Sequence, residues 1–333
     1  MEATYKDIQR LTGFSLSTIS KYFNGGNLRP RTKEAIETAV ADLNFRVNDL
    51  ARGLKSRKSM SVGLLIPELN SVFHTTIMRH VGHILRMRGY SCIVCDSNMD
   101  KKTERDAVQF LVDKMVEGII TIPLDGSGAQ LELAKRWEIP CVLIDRKLTN
   151  FVTDAVIIDN FYAGKAAAEY LLSKGHRNAA VVSGPLGIYT MGERFRGFEN
   201  EFSSHGAKTT LAGIETEFSI KGGYNAALDF FKKENEATAV FCTNYELTLG
   251  TIMALNELGL KFPDDVSVFG FDNMELSAVI KPSLTVIEQP MEQMSRLAAE
   301  LLLRRLESEK IEGHETIVLG TKMIEGSSVA KIN

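Results

Sequence analysis

From Ser61 onward, short apolar runs alternate with helical patterns, and no other feature constrains the fold of this chain so tightly. SVGLLIP precedes FHTTIMRHVGHILRMRGY, SCIVCDS precedes ERDAVQFLVDKMVEG, and IITIPLD and IPCVLID come after them. A second set, NAAVVSGP, LAGIETEFS, ATAVFCTN and VSVFGFDN, is separated by helices of similar length. Strands linked through helices run parallel, so this rhythm predicts parallel sheets covered on both faces. Two such sets predict two hinged lobes, with a ligand between the carboxyl ends of their strands.

Composition agrees with a globular protein. Of 333 residues, 44% are hydrophobic and 24% charged, which excludes disordered and collagen-like chains. Apolar runs fall short of the ~20 residues that span a bilayer. MEATYKDIQR lacks the apolar core of a secretory signal, so a cytoplasmic protein that avoids the membrane is expected. Cys92, Cys95, Cys141 and Cys242 sit in strand-like runs, which predicts reduced, buried thiols. Cys92 and Cys95 form a CxxC, but positions three apart on a strand face opposite ways, which argues against a redox pair. His80 and His83 have a metal-compatible spacing without an accompanying carboxylate motif, and neither a metal nor a cofactor is predicted.

Charge is divided unequally. Through Lys58 there are eleven Lys and Arg against six Asp and Glu, and the whole-chain totals of 39 and 42 leave 28 against 36 for the remainder. A basic head on an acidic body suits a head that meets a polyanion. The head is patterned for helices. Thr4 and Asp7 form a capping pair ahead of Tyr5, Ile8 and Leu11 on one face, and Gly13 breaks the helix. Ser15 caps a second helix that turns Ile19, Tyr22 and Phe23 inward and leaves Leu16, Ser17, Ser20 and Lys21 outward. A third helix, opened by Thr32, carries Ile36, Ala39, Val40 and Leu43 on one stripe. Two short helices around a glycine turn, braced by a third, make a helix-turn-helix, whose second helix enters the major groove with short polar side chains.

YKDIQRLTGFSLSTISKYFNG and TKEAIETAVADLNFRVNDLARGLK, with much of the chain beyond Lys55, resemble the LacI/GalR family of bacterial transcription regulators, and the resemblance covers essentially the whole sequence. It implies an all-α helix-turn-helix domain over 1–46, a hinge helix over 47–58 and a periplasmic-binding-protein-like α/β domain over 59–333. It also implies a first lobe near 59–158 and 290–318 and a second near 159–289 and 319–333. Leu16, Ser17 and Lys21 would choose bases, Lys21 replacing a more usual arginine and so weakening strict guanine reading. Thr4, Tyr5, Ser15, Thr18, Ser20, Asn24 and Arg29 complete the candidate DNA contacts of the head. NDLARGLK matches the hinge helix: Asn48 caps it, Ala51 and Leu54 face a second copy, Leu54 wedges into a minor-groove step, and Lys55 adds charge.

Polar residues that end the strands are the candidate effector contacts: Asp145, Asn244 and Asp272, with Arg194 opening the RFRGF turn that resembles the family's RxxGF arginine. Phe73, as a stacking ring, and His74 open the first helix of the first lobe, and Arg146 follows Asp145. Tyr245 departs from the family, which commonly has an aspartate after the asparagine. Arg194, Arg146 and Lys221 favour an anionic ligand, and sugars, sugar acids and sugar phosphates are all candidates. The expected function is repression of carbohydrate-utilisation genes by a homodimer that binds double-stranded operator DNA sequence-specifically, under the control of a small sugar-like effector between the lobes. The alternative is a regulator of the same family activated by a co-repressor or a partner protein. The sequence closes on IEGSSVAKIN without a leucine heptad, which predicts a dimer rather than a tethered tetramer. An enzyme using Asp145 and Asp272 as a carboxylate pair is disfavoured, because no nucleophile elbow, phosphate loop or metal cluster accompanies them. A sugar carrier would leave Met1 to Lys58 unexplained.

Overall fold

The computed structural model describes residues 3–23, 26–45, 59–213, 217–272, 279–308 and 311–332. The chain divides into two compact units, Met1–Met60 and Ser61–Asn333. Asn24 and the hinge positions Asn48, Ala51, Leu54 and Lys55 lie outside the described residues.

In the first unit, α1 (Tyr5–Thr12) starts where the Asp7 carboxylate accepts the Thr4 N–H at 2.9 Å and the Thr4 hydroxyl at 2.7 Å. It stops at Gly13, whose left-handed φ of 73° lets its N–H reach Gln9 O at 2.8 Å. Ser15 Oγ caps α2 (Leu16–Phe23) by accepting the Thr18 N–H at 3.2 Å. The third helix, α3 (Pro30–Asp42), begins two residues before the expected Thr32. Proline suits the first helical position because the N–H it lacks would have no partner there, and Arg29 becomes the N-cap. Ile8, Ile19 and Ile36 are fully buried, each contributing about 1.5–3 kcal/mol. Tyr5 stacks on Phe23 at 5.1 Å, and Phe45 leans against both rings.

The second unit runs β1 (Ser61–Ile66), α4 (Val72–Met87), β2 (Ser91–Asp96), α5 (Lys101–Asp113), β3 (Gly118–Thr121), α6 (Glu132–Arg136), β4 (Cys141–Ile144) and β5 (Asp154–Ile158). It continues with α7 (Asn160–Ser173), β6 (Asn178–Val182), α8 (Tyr189–Ser204), β7 (Lys208–Leu211), α9 (Ile220–Phe231), β8 (Ala239–Cys242), α10 (Tyr245–Leu258), β9 (Ser267–Phe271), β10 (Thr285–Glu288), α11 (Met291–Glu307), β11 (Thr316–Leu319) and β12 (Lys322–Ile324). Among the described residues these strands form two six-stranded sheets, ordered β11-β5-β4-β3-β1-β2 and β12-β10-β9-β8-β6-β7. Neighbouring strands run parallel in both sheets, except that β12 is antiparallel to β10. The chain therefore crosses between lobes after β5, after β10 and between β11 and β12. On its return α11 packs on the first lobe, where the Ser295 hydroxyl reaches Ile77 O on α4 at 3.3 Å.

Two expectations shift. The strand expected in LAGIETEFS lies earlier, as β7, because Gly213 at φ 82° turns the chain out of the sheet. Cys141 and Cys242 are buried, but Cys92 and Cys95 are half-buried, since β2 is an edge strand covered on fewer sides. Cys95 joins the first-lobe core with α5, whereas Cys92 lies toward Gly82 of α4, on opposite faces of the strand as expected.

Candidate functional site

The two lobes present equivalent aspartates to one cleft. Asp145 follows β4 and Asp272 follows β9, both with left-handed backbone at φ 71° and 65°. Each N–H donates to the neighbouring strand, Asp145 to Val156 O at 3.0 Å and Asp272 to Ile287 O at 2.7 Å. Aspartate tolerates this conformation better than most residues, and the sheet bond holds it there. Asp145, Arg146, Arg194 and Asp272 are each 5% exposed or less, so their charges act with little solvent screening, and the Asn244 amide is buried beside them.

Arg194 lies inside α8 rather than at a turn. The RFRGF segment explains its own placement. A Cβ at Gly197 would stand 1.9 Å from Phe161 O, and one at Gly164 would stand 1.9 Å from Arg194 O. Glycine at both points lets α7 and α8 meet backbone to backbone, while Phe198 stacks on Phe241 at 5.0 Å beneath them. The Arg194 guanidinium donates to Asn160 Oδ1 at 2.8 Å and to Thr243 O at 2.7 Å, and lies 3.7 Å above the Phe271 ring.

Asp272 accepts the Gln289 amide at 2.7 Å. Burial pushes its carboxyl up to about 7, against the pull of Arg194 and Gln289 and with repulsion from Glu246 and Asp145. Burial also raises Asp145, while Arg146 beside it, at 3.4 Å, opposes the rise. Arg146 donates onward to Pro123 O at 2.9 Å. Asn244 caps α10 by accepting the Leu247 N–H at 2.9 Å and donates to Glu246 at 2.8 Å, so it serves the helix as well as the cleft. Phe73 is buried in the lining and meets the His74 ring edge-on at 5.8 Å. Burial, then repulsion by Arg146, lowers His74 to about 3, so its ring is neutral at ordinary pH, with Nδ1 3.3 Å from Glu68 O.

These residues surround a small cavity of about 20 Å³. All seven sequence candidates, Phe73, His74, Asp145, Arg146, Arg194, Asn244 and Asp272, line it. Sequence reasoning missed Ser71, Thr190, Met191, Phe218, Glu246 and Gln289, which also line it. Gln289 immediately follows β10 just as Asp272 follows β9, a signal available in IEQP; the others come from loops and helix starts without one. Lys221 is exposed on α9 and is not part of the lining, where three carboxyl groups stand beside the two guanidinium groups. Tyr245 is buried away from the cavity, and the carboxylate comes from Glu246 instead.

In the head, Leu16, Ser17 and Lys21 are exposed on α2, and Thr18 and Ser20 are partly so. Ser15 Oγ bonds Ser17 Oγ at 2.7 Å and Thr18 Oγ1 at 2.9 Å, a hydroxyl cluster at the helix start. Thr4 and Arg29 are exposed, whereas the Tyr5 ring is built into the aromatic stack.

A family profile described as a periplasmic binding protein-like domain matches residues 168–329. The HTH-type transcriptional repressor PurR of Vibrio atlanticus is 31% identical over 338 residues, covering 99% of this chain and 100% of its own. The HTH-type transcriptional regulator KdgR of Bacillus subtilis is 31% identical over 334 residues, covering 98% and 97%. A LacI family transcriptional regulator from Enterococcus faecium, solved with bound ribose, is 29% identical, covers 82% of this chain and all of its own, and has a TM-score of 0.74. The chain belongs to the LacI/GalR family. Its fold is also that of the lac repressor dimer solved on operator, at TM-score 0.87 and 23% identity over 99% of this chain and 100% of that one. As a LacI/GalR regulator it carries a helix-turn-helix and a two-lobed α/β domain, and none of its described helices is long and apolar enough to cross a membrane.

Proposed function

We propose that this regulator is a dimeric repressor of carbohydrate-utilisation genes that binds a pseudo-palindromic operator through α2 and answers to a small hydroxylated effector held in the cleft. The carrying observation is that buried carboxylates, guanidinium groups and an amide from both lobes converge on one cavity with Phe73 and Phe218, in a chain whose head exposes a hydroxylated helix. Carboxylates and amides receive sugar hydroxyls, and aromatic rings cover the apolar face of a pyranose or furanose. The boundaries that suit this reading are a head to 46, a hinge over 47–58, and lobes exchanging near 158, 290 and 318. The hinge carries Leu54 as the minor-groove wedge. In the Enterococcus faecium relative the bound molecule is ribose, and carbohydrate is the class carried over to this chain.

Effector binding changes operator affinity by a coupling of about 1–3 kcal/mol, or roughly 5–150-fold. Fluorescence anisotropy with a selected palindromic duplex, at low ionic strength and with a panel of sugars, reads this directly. Arg194→Ala is expected to abolish the response, because it removes the guanidinium shared by Asn160, Thr243 and the two aspartates. A full response in Arg194→Ala would put the effector elsewhere.

A further inference from the structure

Glu246 stands in the first turn of α10, yet its carboxylate touches both lobes. Oε2 accepts the Asn244 amide at 2.8 Å within its own lobe, and Oε1 accepts the Ser71 hydroxyl at 3.1 Å from the lobe opposite. Ser71 occupies the N-cap position of α4 without making a side-chain cap bond, so its hydroxyl is available to the other wall. A bond between opposite walls exists only while the walls are together. Charge matters as well. Three carboxyl groups, Asp145, Glu246 and Asp272, stand beside the guanidinium groups of Arg146 and Arg194 in the lining, and Asp272, pushed up to about 7 by burial, is partly protonated near neutral pH. Arg146 donates to Pro123 O and lies 3.4 Å from Asp145, and Arg194 donates to Asn160 and Thr243 O. Among the described residues, the buried lining atoms left without a hydrogen bond are Arg146 Nε, Thr190 Oγ1 and Gln289 Oε1, all on residues more than nine-tenths buried. Gln289 Oε1 can only accept, which suits a hydroxyl donor and not an anion, while Arg146 Nε and Thr190 Oγ1 can each donate to a hydroxyl oxygen.

We propose that Glu246 is the closure and specificity residue of this cleft: through Ser71 it holds the lobes together, and through its charge it confines the effector to an uncharged polyol, excluding sugar acids and sugar phosphates. The inference rests on the cleft being the effector site. A carboxylate or phosphate entering here adds negative charge beside Glu246 in a site with little water to screen it. An uncharged polyol instead donates its hydroxyl hydrogens to the carboxylates and to Gln289 Oε1, and meets Thr190 as donor or acceptor.

Two variants separate the roles. Ser71→Ala keeps the charge and removes the bond; Glu246→Gln removes the charge and keeps an oxygen that accepts from Ser71. D-ribose, D-ribonate and ribose 5-phosphate, and D-glucose with its own acid and phosphate, are titrated calorimetrically into the full chain. A neutral aldose is expected to bind, with its acid and phosphate weaker by about tenfold or more. Glu246→Gln narrows that gap by about tenfold. Ser71→Ala leaves the gap unchanged but enlarges the radius of gyration of the unliganded chain in small-angle scattering. An acid or phosphate binding as tightly as its neutral parent overturns the filter, as does binding by none of these compounds. An unchanged radius for Ser71→Ala overturns the latch. The wild-type comparison needs no variant and survives any folding failure. Duplex binding by the wild type is scored separately, since its loss would remove the regulator reading and leave the filter standing.

Discussion

Asp145 and Asp272 occupy the same point of two sheets, after β4 and after β9, with the same backbone bend and the same bond to the next strand. Their surroundings differ. Asp145 has its counter-charge next in sequence, Arg146, whereas Asp272 is held by the neutral Gln289 amide and faces Arg194 from another element. The lobes therefore share a scaffold and diverge in how each neutralises its buried carboxylate. The chemistry of a strand-end position is decided by neighbours, and the strand decides only where the group stands.

That contrast can be broken by isosteric substitution. Asp145→Asn should cost about 3 kcal/mol, because it leaves Arg146 buried without its charge partner. Asp272→Asn, which keeps an oxygen for Gln289, should cost far less. Chemical denaturation of both variants measures the difference, and equal losses would erase the asymmetry. Helix packing supplies a second contrast. Gly164→Ala or Gly197→Ala in the second lobe should lower stability by about 1–3 kcal/mol, since each Cβ meets a backbone oxygen that cannot swing away. Gly82→Ala in α4, where the nearest atom is Cys92 Sγ at 3.9 Å, should be neutral or gain up to about 1 kcal/mol of helix propensity. Melting temperatures read this pair.

The last contrast is a pH slope. Asp272 binds its proton more tightly folded, at about 7, than at its ordinary value of 3.8. Its protonated form thus favours the folded state, a contribution complete below about pH 4 and lost as pH rises through about 7. Stability of the wild type should decline across that window relative to Asp272→Asn, in which the contribution is absent. Denaturation midpoints at a series of pH values test the sign.

Much of this was legible in the residues themselves. Period alone separates strands from helices, so the two-lobed α/β domain follows from the alternation after Ser61, and the head from Gly13, Ser15 and its isoleucine stripe. Asp145, Asn244 and Asp272 could be named because strand ends face a cleft in such folds. Glu246, Ser71 and Thr190 could not. Ser71 and Glu246 meet from 175 residues apart, and a helix-start serine, threonine or glutamate looks the same whether it faces water or a cleft. The RxxGF arginine was readable as a motif, but its glycine's purpose, admitting α7 to within backbone contact of α8, appears only once the helices are packed.

The sequence by itself determined the order of elements, the charge division between head and body, and which polar residues end strands, because these depend on local periodicity and composition. Tertiary structure alone decided which charges are buried together, and hence that three carboxyl groups stand beside two guanidinium groups in the cleft and that Lys221 stands outside it. The reason is that electrostatic energy depends on distance and desolvation, and neither is encoded in any one segment of the chain.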